Sequence, residues 1–311
     1  MSGTVVLPYD PATTTAQDVH LIRQALKAQA PSVQFLPFPF ELVPVSLADL
    51  SSPRTITVTL SNNPRNVIFD TLPGKTFFAP DRSKAQLVDD LIAAGLPVPH
   101  TGRFSPDARP DPAKFGPYVT IKTTAPGTDR ARNIYTVRTA EFEACRPRLM
   151  TLFQKDMASG HIPLLQQYIV TGETPTHTTV STCLGAPVLC YKTTAPAPFS
   201  PAQMQGLVGG EATSNHKANR TRQLSNDAEM VALARSASRA FPTASVLSID
   251  MVRCEQTQKL YCLEVNLGNL CVLSSPICSE FRAALGEREL HNQFGSYTTI
   301  ARRMIETLDA I

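Results

Sequence analysis

The sequence predicts an α/β protein whose first part is a small domain of parallel strands, and three observations carry that reading. Short apolar runs alternate with helix-period segments along the whole chain. The earliest of these, residues 4–8, is followed directly by a segment at 16–28 with Val19, Leu21, Ile22 and Leu26 at helical spacing. With 311 residues, 42% of them apolar and 18% charged, the chain has the profile of an ordinary globular protein, long enough for one large domain or two to three small ones.

Taken in order, residues 33–40 read as a second strand whose prolines point to an edge or to an early end, and 55–60 and 66–70 as two more. Pro73, Gly74 and Pro80 then punctuate a boundary near residue 78. A helix is expected over 83–94, with Leu87, Val88, Leu91 and Ile92 on one face and Gly95 and Pro97 ending it. Residues 105–117, rich in Pro, Asp and Ala, read as a loop. Strands follow at PYVTIKT and NIYTVR, then a helix at 141–158, a strand at 164–169, and a hairpin of 178–184 with 187–192 turning on Gly185 and Ala186. The span 193–227 lacks apolar periodicity and is expected to be a structureless, mobile functional loop. A helix at 228–240, strands at 245–252 and 259–266, and closing helices at 279–285 and 297–308 complete the reading.

A net charge of +3 with no long basic run argues against nucleic acid or a membrane surface as partner. Seven cysteines without a CxxC pair, several of them in apolar runs, fit a reducing compartment. No signal peptide is expected at MSGTVVLPYD and no stretch nears 18 apolar residues, so a cytoplasmic protein is expected.

The chemistry concentrates in SVLSIDMVRCEQTQKLYCLEVN. Glu264 and Asn266 are two residues apart and therefore share one face of a strand, and pairing of the two strands can bring Asp250 to that face. Two carboxylates and an amide oxygen are hard ligands that suit magnesium, with manganese as a substitute, and two buried carboxylates would be costly without a cation. The bland reading is a strand end with solvated acids. Lys122 ends an apolar strand before a loop containing Pro126 and Gly127, a place from which an ammonium can meet phosphate, although a strand-end lysine alone is ordinarily just solvated. Lys84 stands near the positive end of its helix, where a cation is disfavoured unless an anion answers it. LLQQYIVTGE runs from a strand into a turn at Gly172 followed by Glu173, a junction that can offer backbone groups to an adenine edge.

In this order the pieces resemble the ATP-grasp superfamily, of the carboxylate–amine ligase type represented by RimK-like and D-alanine–D-alanine ligase-like proteins, from about residue 80 to the C-terminus. DRSKAQLVDDLIAAGLPVPHTGRF is similar to the helix bearing the first nucleotide lysine, PYVTIKTTAPGTDRARNIYTV to the second-lysine strand and phosphate-covering loop, PLLQQYIVTGE to the adenine hinge, and SIDMVR with YCLEVN to the metal strands. The resemblance implies an α/β ATP-grasp fold in which two subdomains clasp ATP behind an N-terminal α/β domain, with divisions at 1–78, 79–170 and 171–311. It assigns Lys84 and Lys122 to phosphate, Gln166, Gln167, Tyr168 and Ile169 to the adenine hinge, Glu173 to ribose, and Asp250, Glu264 and Asn266 to the metal. The chain departs from D-alanine ligases in carrying Ser248 two residues before the metal aspartate, where they have arginine, and NLGNLCVLSS after the second strand.

The activity implied is ATP-dependent amide or peptide bond formation through an acylphosphate, releasing ADP and phosphate, on amino-acid or peptide substrates. Lys217, Arg220 and Arg222 in the 193–227 span are candidate catalytic cations, against the alternative of a solvated basic loop. The alternatives in function are a small-molecule kinase similar to inositol-phosphate kinases, which share Asp81-Arg82 and Lys122-Thr123, and a non-catalytic nucleotide-binding module. A homodimer is the default expectation for oligomeric state.

Overall fold

The structure is a computed structural model describing residues 3–41, 54–61, 74–79, 81–125, 133–214, 219–268 and 270–311. Strand β1 (Thr4–Tyr9), helix α1 (Ala16–Gln29) and strands β2 (Gln34–Pro39), β3 (Thr55–Val58) and β4 (Lys75–Phe77) form a parallel sheet in the order β2-β1-β3-β4. Its β2 edge is where Pro37 and Pro39 cost no central ladder bond. Helix α1 starts at a capping box in which Thr15 accepts from Asp18 N and the Asp18 carboxylate accepts from Thr15 N. Strand β4 was not expected, and the strand expected at 66–70 lies outside the described residues.

Next come α2 (Lys84–Ala93), β5 (Thr101–Arg103), α3 (Pro112–Phe115), β6 (Tyr118–Lys122), β7 (Ile134–Arg138), α4 (Phe142–Ala158) and β8 (Leu164–Gln167). The four strands pair antiparallel in the order β5-β8-β6-β7. Alternation along β6 sends Val119 and Ile121 into a core with Phe142, Leu149 and Phe153 of α4, which leaves Thr120 and Lys122 on the opposite face. Two expectations are corrected here. The loop at 105–117 contains α3, capped by Asp111 with Pro112 in its first turn. The strand expected to reach Ile169 stops at Gln167.

The remaining elements are β9 (Thr176–Cys183), β10 (Ala186–Thr194), β11 (Thr221–Leu224), α5 (Ala228–Arg239), β12 (Val246–Arg253), β13 (Leu260–Leu267), α6 (Ser279–Leu285), α7 (Glu287–Asn292) and α8 (Ser296–Asp309). They build an antiparallel sheet in the order β11-β10-β9-β12-β13. The span 193–227 is therefore not structureless: it continues β10, contributes β11, and bridges Val208 to Thr136 of β7. The hairpin turns on Leu184 and Gly185, one residue earlier than expected, with φ of 47° and 79°. Leu184 accepts that backbone because its side chain is buried and Arg303 donates to its carbonyl from Nε and Nη2 at 2.9 and 2.7 Å.

One face of this sheet is apolar: Val180, Cys190, Leu247, Ile249 and Val265 pack on Met230, Ala234 and Ala237 of α5 and on Leu87 and Leu91 of α2. At the other end α8 joins the N-terminal sheet to the β9–β10 hairpin, its Ile300, Ala301, Met304 and Leu308 sharing a core with Val5, Leu7, Ile22, Ile56 and Val58 and with Leu184, Val188 and Leu189. Among the described residues no helix is long and apolar enough to cross a membrane.

Candidate functional site

The site grows from the polar face of the large sheet. In the ladder Asp250 pairs with Glu264 on one side and Thr179 on the other, while Ser248 pairs with Asn266 and Ser181. The irregularity in the β12–β13 ladder falls after Asp250, so Asp250, Glu264 and Asn266 keep the common face that the two-residue spacing predicts. Thr179 Oγ1 donates to Asp250 Oδ1 at 2.5 Å and Asn266 Nδ2 to Asp250 Oδ2 at 3.2 Å. His177 lies two residues along β9 on the same face, with Nε2 4.0 Å from Asp250 Oδ1 and Nδ1 2.6 Å from Ser214 Oγ.

Two lysines from other elements reach this face. Lys84 is the first residue of α2, whose N-cap Ser83 forms a reciprocal box with Gln86. Its Nζ lies 2.8 Å from Glu264 Oε1, which answers the cost of a cation at the positive end of a helix. Lys122, buried at the end of β6, donates from Nζ to the Leu263 carbonyl at 3.1 Å. It thereby joins the polar face of the small sheet to β13.

The electrostatics of the cluster follow from burial and from the two lysines. Burial pushes Asp250 above the ordinary carboxylate range, against the pull of His177. Burial acts the same way on Glu264, but Lys84 and Lys122 outweigh it and hold that carboxyl below its usual value. Lys122 and His177 are both lowered, burial being the first cause in each. Among the described residues no three His, Cys, Asp or Glu side chains come together as a metal cluster. The donor set for a cation here is two carboxylates and the Asn266 amide, an all-oxygen set that fits magnesium.

Near the end of β8, Gln166 is buried and its Nε2 donates to Thr101 Oγ1 at 3.0 Å. Gln167 Oε1 accepts from His100 N at 3.4 Å. Tyr168 follows the strand, edge-on to both Tyr118 and Phe199, with its hydroxyl donating to the Ala212 carbonyl at 2.9 Å, and Ile169 is buried. Glu173 is exposed, its carbonyl accepting from Phe199 N at 2.9 Å.

Arg220 and Arg222 are not solvated loop residues. Each places a guanidinium nitrogen 2.8 Å from Glu280 Oε1, and Arg222 stacks over the Phe281 ring at 4.3 Å from its centroid. The β10–β11 register sets Arg222 opposite Thr193, which in turn pairs with His177, so the arginines and the Asp250 cluster lie along one sheet. Arg222 Nε is buried with no hydrogen-bond partner among the described residues. Lys217 and the 126–132 loop lie outside the described residues. A cavity of about 640 Å³ sits elsewhere, behind the Leu184 hairpin between α5 and α8, and none of the candidate residues lines it.

His177, Thr179 and Glu280 are contributors that sequence reasoning missed. Thr179 and His177 carried a faint signal, alternation at two-residue spacing, but nothing in the sequence says that β9 neighbours β12.

Solved structures share this fold over 98–100% of the chain. A D-alanine–D-alanine ligase from Bacillus anthracis is 12% identical, with a TM-score of 0.52 over 100% of this chain and 98% of that one. The ATP-grasp ligase PsnB, solved with a minimal precursor, is 13% identical with a TM-score of 0.56 over 98% and 99%. D-cycloserine synthetase DcsG is 14% identical with a TM-score of 0.51 over 98% and 100%. The chain has the ATP-grasp fold. At these identities the likeness is one of fold. No family model matches the sequence, and no curated protein does. Lys122 stands on the sheet β5-β8-β6-β7, and Asp250, Glu264 and Asn266 stand on the sheet β11-β10-β9-β12-β13.

Proposed function

We propose that the chain is an ATP-dependent carboxylate–amine ligase that forms an amide or peptide bond on amino-acid or peptide substrates and releases ADP and phosphate. One observation carries the reading: Lys84, Lys122, Asp250, Glu264 and Asn266 come from four separate elements and meet at one polar face between the two antiparallel sheets. The ATP-grasp fold supports it, as do neighbours named as ligases or a synthetase, one of them bound to a precursor. The divisions at 1–78, 79–170 and 171–311 belong to the same proposal, supported by one sheet in each.

In this reading Asp250, Glu264 and Asn266 hold magnesium, which when bound neutralises phosphoryl oxygens of ATP. Lys84 and Lys122 hold the phosphates, Gln166, Gln167, Tyr168 and Ile169 face adenine, and Glu173 faces ribose. Lys84 then exchanges the Glu264 carboxylate for phosphate oxygens, a trade between two anionic partners that costs little. Arg220 and Arg222, with Lys217, seat the substrate carboxylate and steady the acylphosphate against the incoming amine. The buried, unpartnered Nε of Arg222 supports an anion there. The residues provide position and charge, and no side-chain nucleophile is needed.

The test is ADP release from ATP and magnesium with pools of amino acids and short peptides, followed by mass analysis. ADP formation that requires both a carboxylate and an amine, with an amide product, is expected. ADP formation with a hydroxyl acceptor alone would make the chain a kinase, and nucleotide binding with no turnover in any pool would make it a binding module.

A further inference from the structure

The cleft behind the Leu184 hairpin takes no part in the proposed reaction. Its two helical walls belong to different cores: α5 packs on the large sheet, while α8 packs on the N-terminal sheet and the hairpin. Phe77, Phe241 and Phe294 line it, the first two buried and the third half-buried, so the interior offers aromatic surface. Its volume of about 640 Å³ is that of a small-molecule site, for which about 300–1,000 Å³ is usual.

Among the described residues that line it, four arginines share this space with one acid. Arg235 and Arg239 come from successive turns of α5, Arg302 and Arg303 from α8, and Glu306 is the acid. Arg303 and Glu306 answer each other: Arg303 Nη1 pairs with Glu306 Oε2 while its Nε and Nη2 hold the Leu184 carbonyl. Arg302 Nε stays 3.8 Å from Glu306 Oε1, beyond hydrogen-bond reach. Arg239 donates to the neutral Ser236 hydroxyl at 2.8 Å, and its place in the last turn of α5 suits the helix dipole. Arg235, one turn earlier, has neither an ion pair nor a hydrogen bond among the described residues. The cleft thus holds an excess of three positive charges, as many as the net charge of the whole chain, so the remainder of the sequence is balanced. Like charges gathered around one cleft repel each other, and an anion between them removes that cost.

We propose that this cleft binds a small organic anion: a flat apolar body, aromatic for preference, carrying two or more negative charges as carboxylate or phosphate. The phenylalanines take the body. Arg235, Arg239 and Arg302 take the charges from opposite walls, each guanidinium offering a planar pair of donors that matches either group. A ligand so held ties α5 to α8 and therefore one core to the other. The site is separate from the proposed nucleotide site and does not rest on the ligase reading.

The experiment titrates naphthalene dicarboxylate and naphthyl phosphate, separately, into the full-length protein with no nucleotide present. Naphthalene fluorescence reads the binding, and the chain has no tryptophan to obscure it. Saturable binding of at least one probe is expected, and the tighter of the two names the preferred charged group. Arg235→Ala and Arg302→Ala, both at exposed positions, should each weaken that binding about 10-fold with an unchanged melting temperature. No saturation by either probe, equal affinity for the uncharged naphthalene dicarboxamide, or wild-type affinity in either variant would overturn the proposal. ADP release plays no part in the measurement, so its result stands apart from the outcome of the ligase assay.

Discussion

Lys84 Nζ sits 2.8 Å from Glu264 Oε1, so the first residue of α2 and the middle of β13 are joined by an ion pair inside the proposed nucleotide site. Both side chains retain some exposure, which limits the pair's worth to stability to about 1 kcal/mol. Lys84→Met should therefore leave the melting temperature almost unchanged. It should weaken ATP binding by about 10- to 100-fold, the worth of a charge-assisted hydrogen bond. Calorimetric titration of ATP with magnesium checks this. Unchanged affinity would remove Lys84 from the phosphate site.

Arg222→Ala should lower turnover by about 100-fold or more if the guanidinium steadies an anion during the reaction. An exposed basic loop would predict no thermal cost. The observed stacking on Phe281 and pairing with Glu280 predict one of about 1–2 kcal/mol. Thermal unfolding and steady-state ADP release on the same preparation separate the two effects. Normal turnover in a destabilised variant would make Arg222 structural.

Asp227 gives a stability prediction with a pH sign. Its carboxylate caps α5, accepting from Glu229 N and Met230 N at 3.1 Å each, and pairs with Arg253 Nη2 at 2.9 Å. Burial pushes its pKa up, but the Met230 amide and Arg253 outweigh that and hold it below the ordinary value. A depressed folded pKa stabilises above the unfolded value, about 3.9, and that contribution is lost as pH falls through the folded one. Asp227→Asn keeps a capping side chain and removes the charge. It should cost about 1 kcal/mol at pH 7 and progressively less below about pH 4 in urea unfolding. An equal cost at pH 7 and pH 3 would rule out the charge.

Asp18 is fully buried on α1 and accepts from Thr15 N at 2.8 Å and from Ser274 N and Tyr297 Oη at 2.7 Å each. Asp18→Ala strands these donors, and a loss of about 2–4 kcal/mol is expected in guanidinium unfolding. A loss under 1 kcal/mol would show that water replaces the carboxylate.

The common face of Glu264 and Asn266 was legible because a β-strand's period is two and the residues are two apart. Lys84 and Lys122 were legible as helix-start and strand-end cations respectively, yet only the fold brings them to Glu264. His177 and Thr179 were not legible, since their place beside Asp250 depends on β9 lying between β10 and β12, an order no local pattern encodes. The hairpin turn was misplaced by one residue because Leu184 adopts a positive φ that its sequence does not advertise. Arg303, more than a hundred residues away, is what holds its carbonyl. The 193–227 span looked structureless because β11 is four residues long and its register partner β10 supplies the regularity.

Helix α8 has a consequence for how the protein is made. Val5, Leu7, Ile56 and Val58 belong to strands synthesised well before α8, and their cover includes its Ile300, Met304 and Leu308. While the ribosome is still at work, the opening sheet has one face unfinished and its apolar side chains in water. The native sheet closes only after α8 has cleared the exit tunnel, so an early part of the fold waits on an element made more than two hundred residues later.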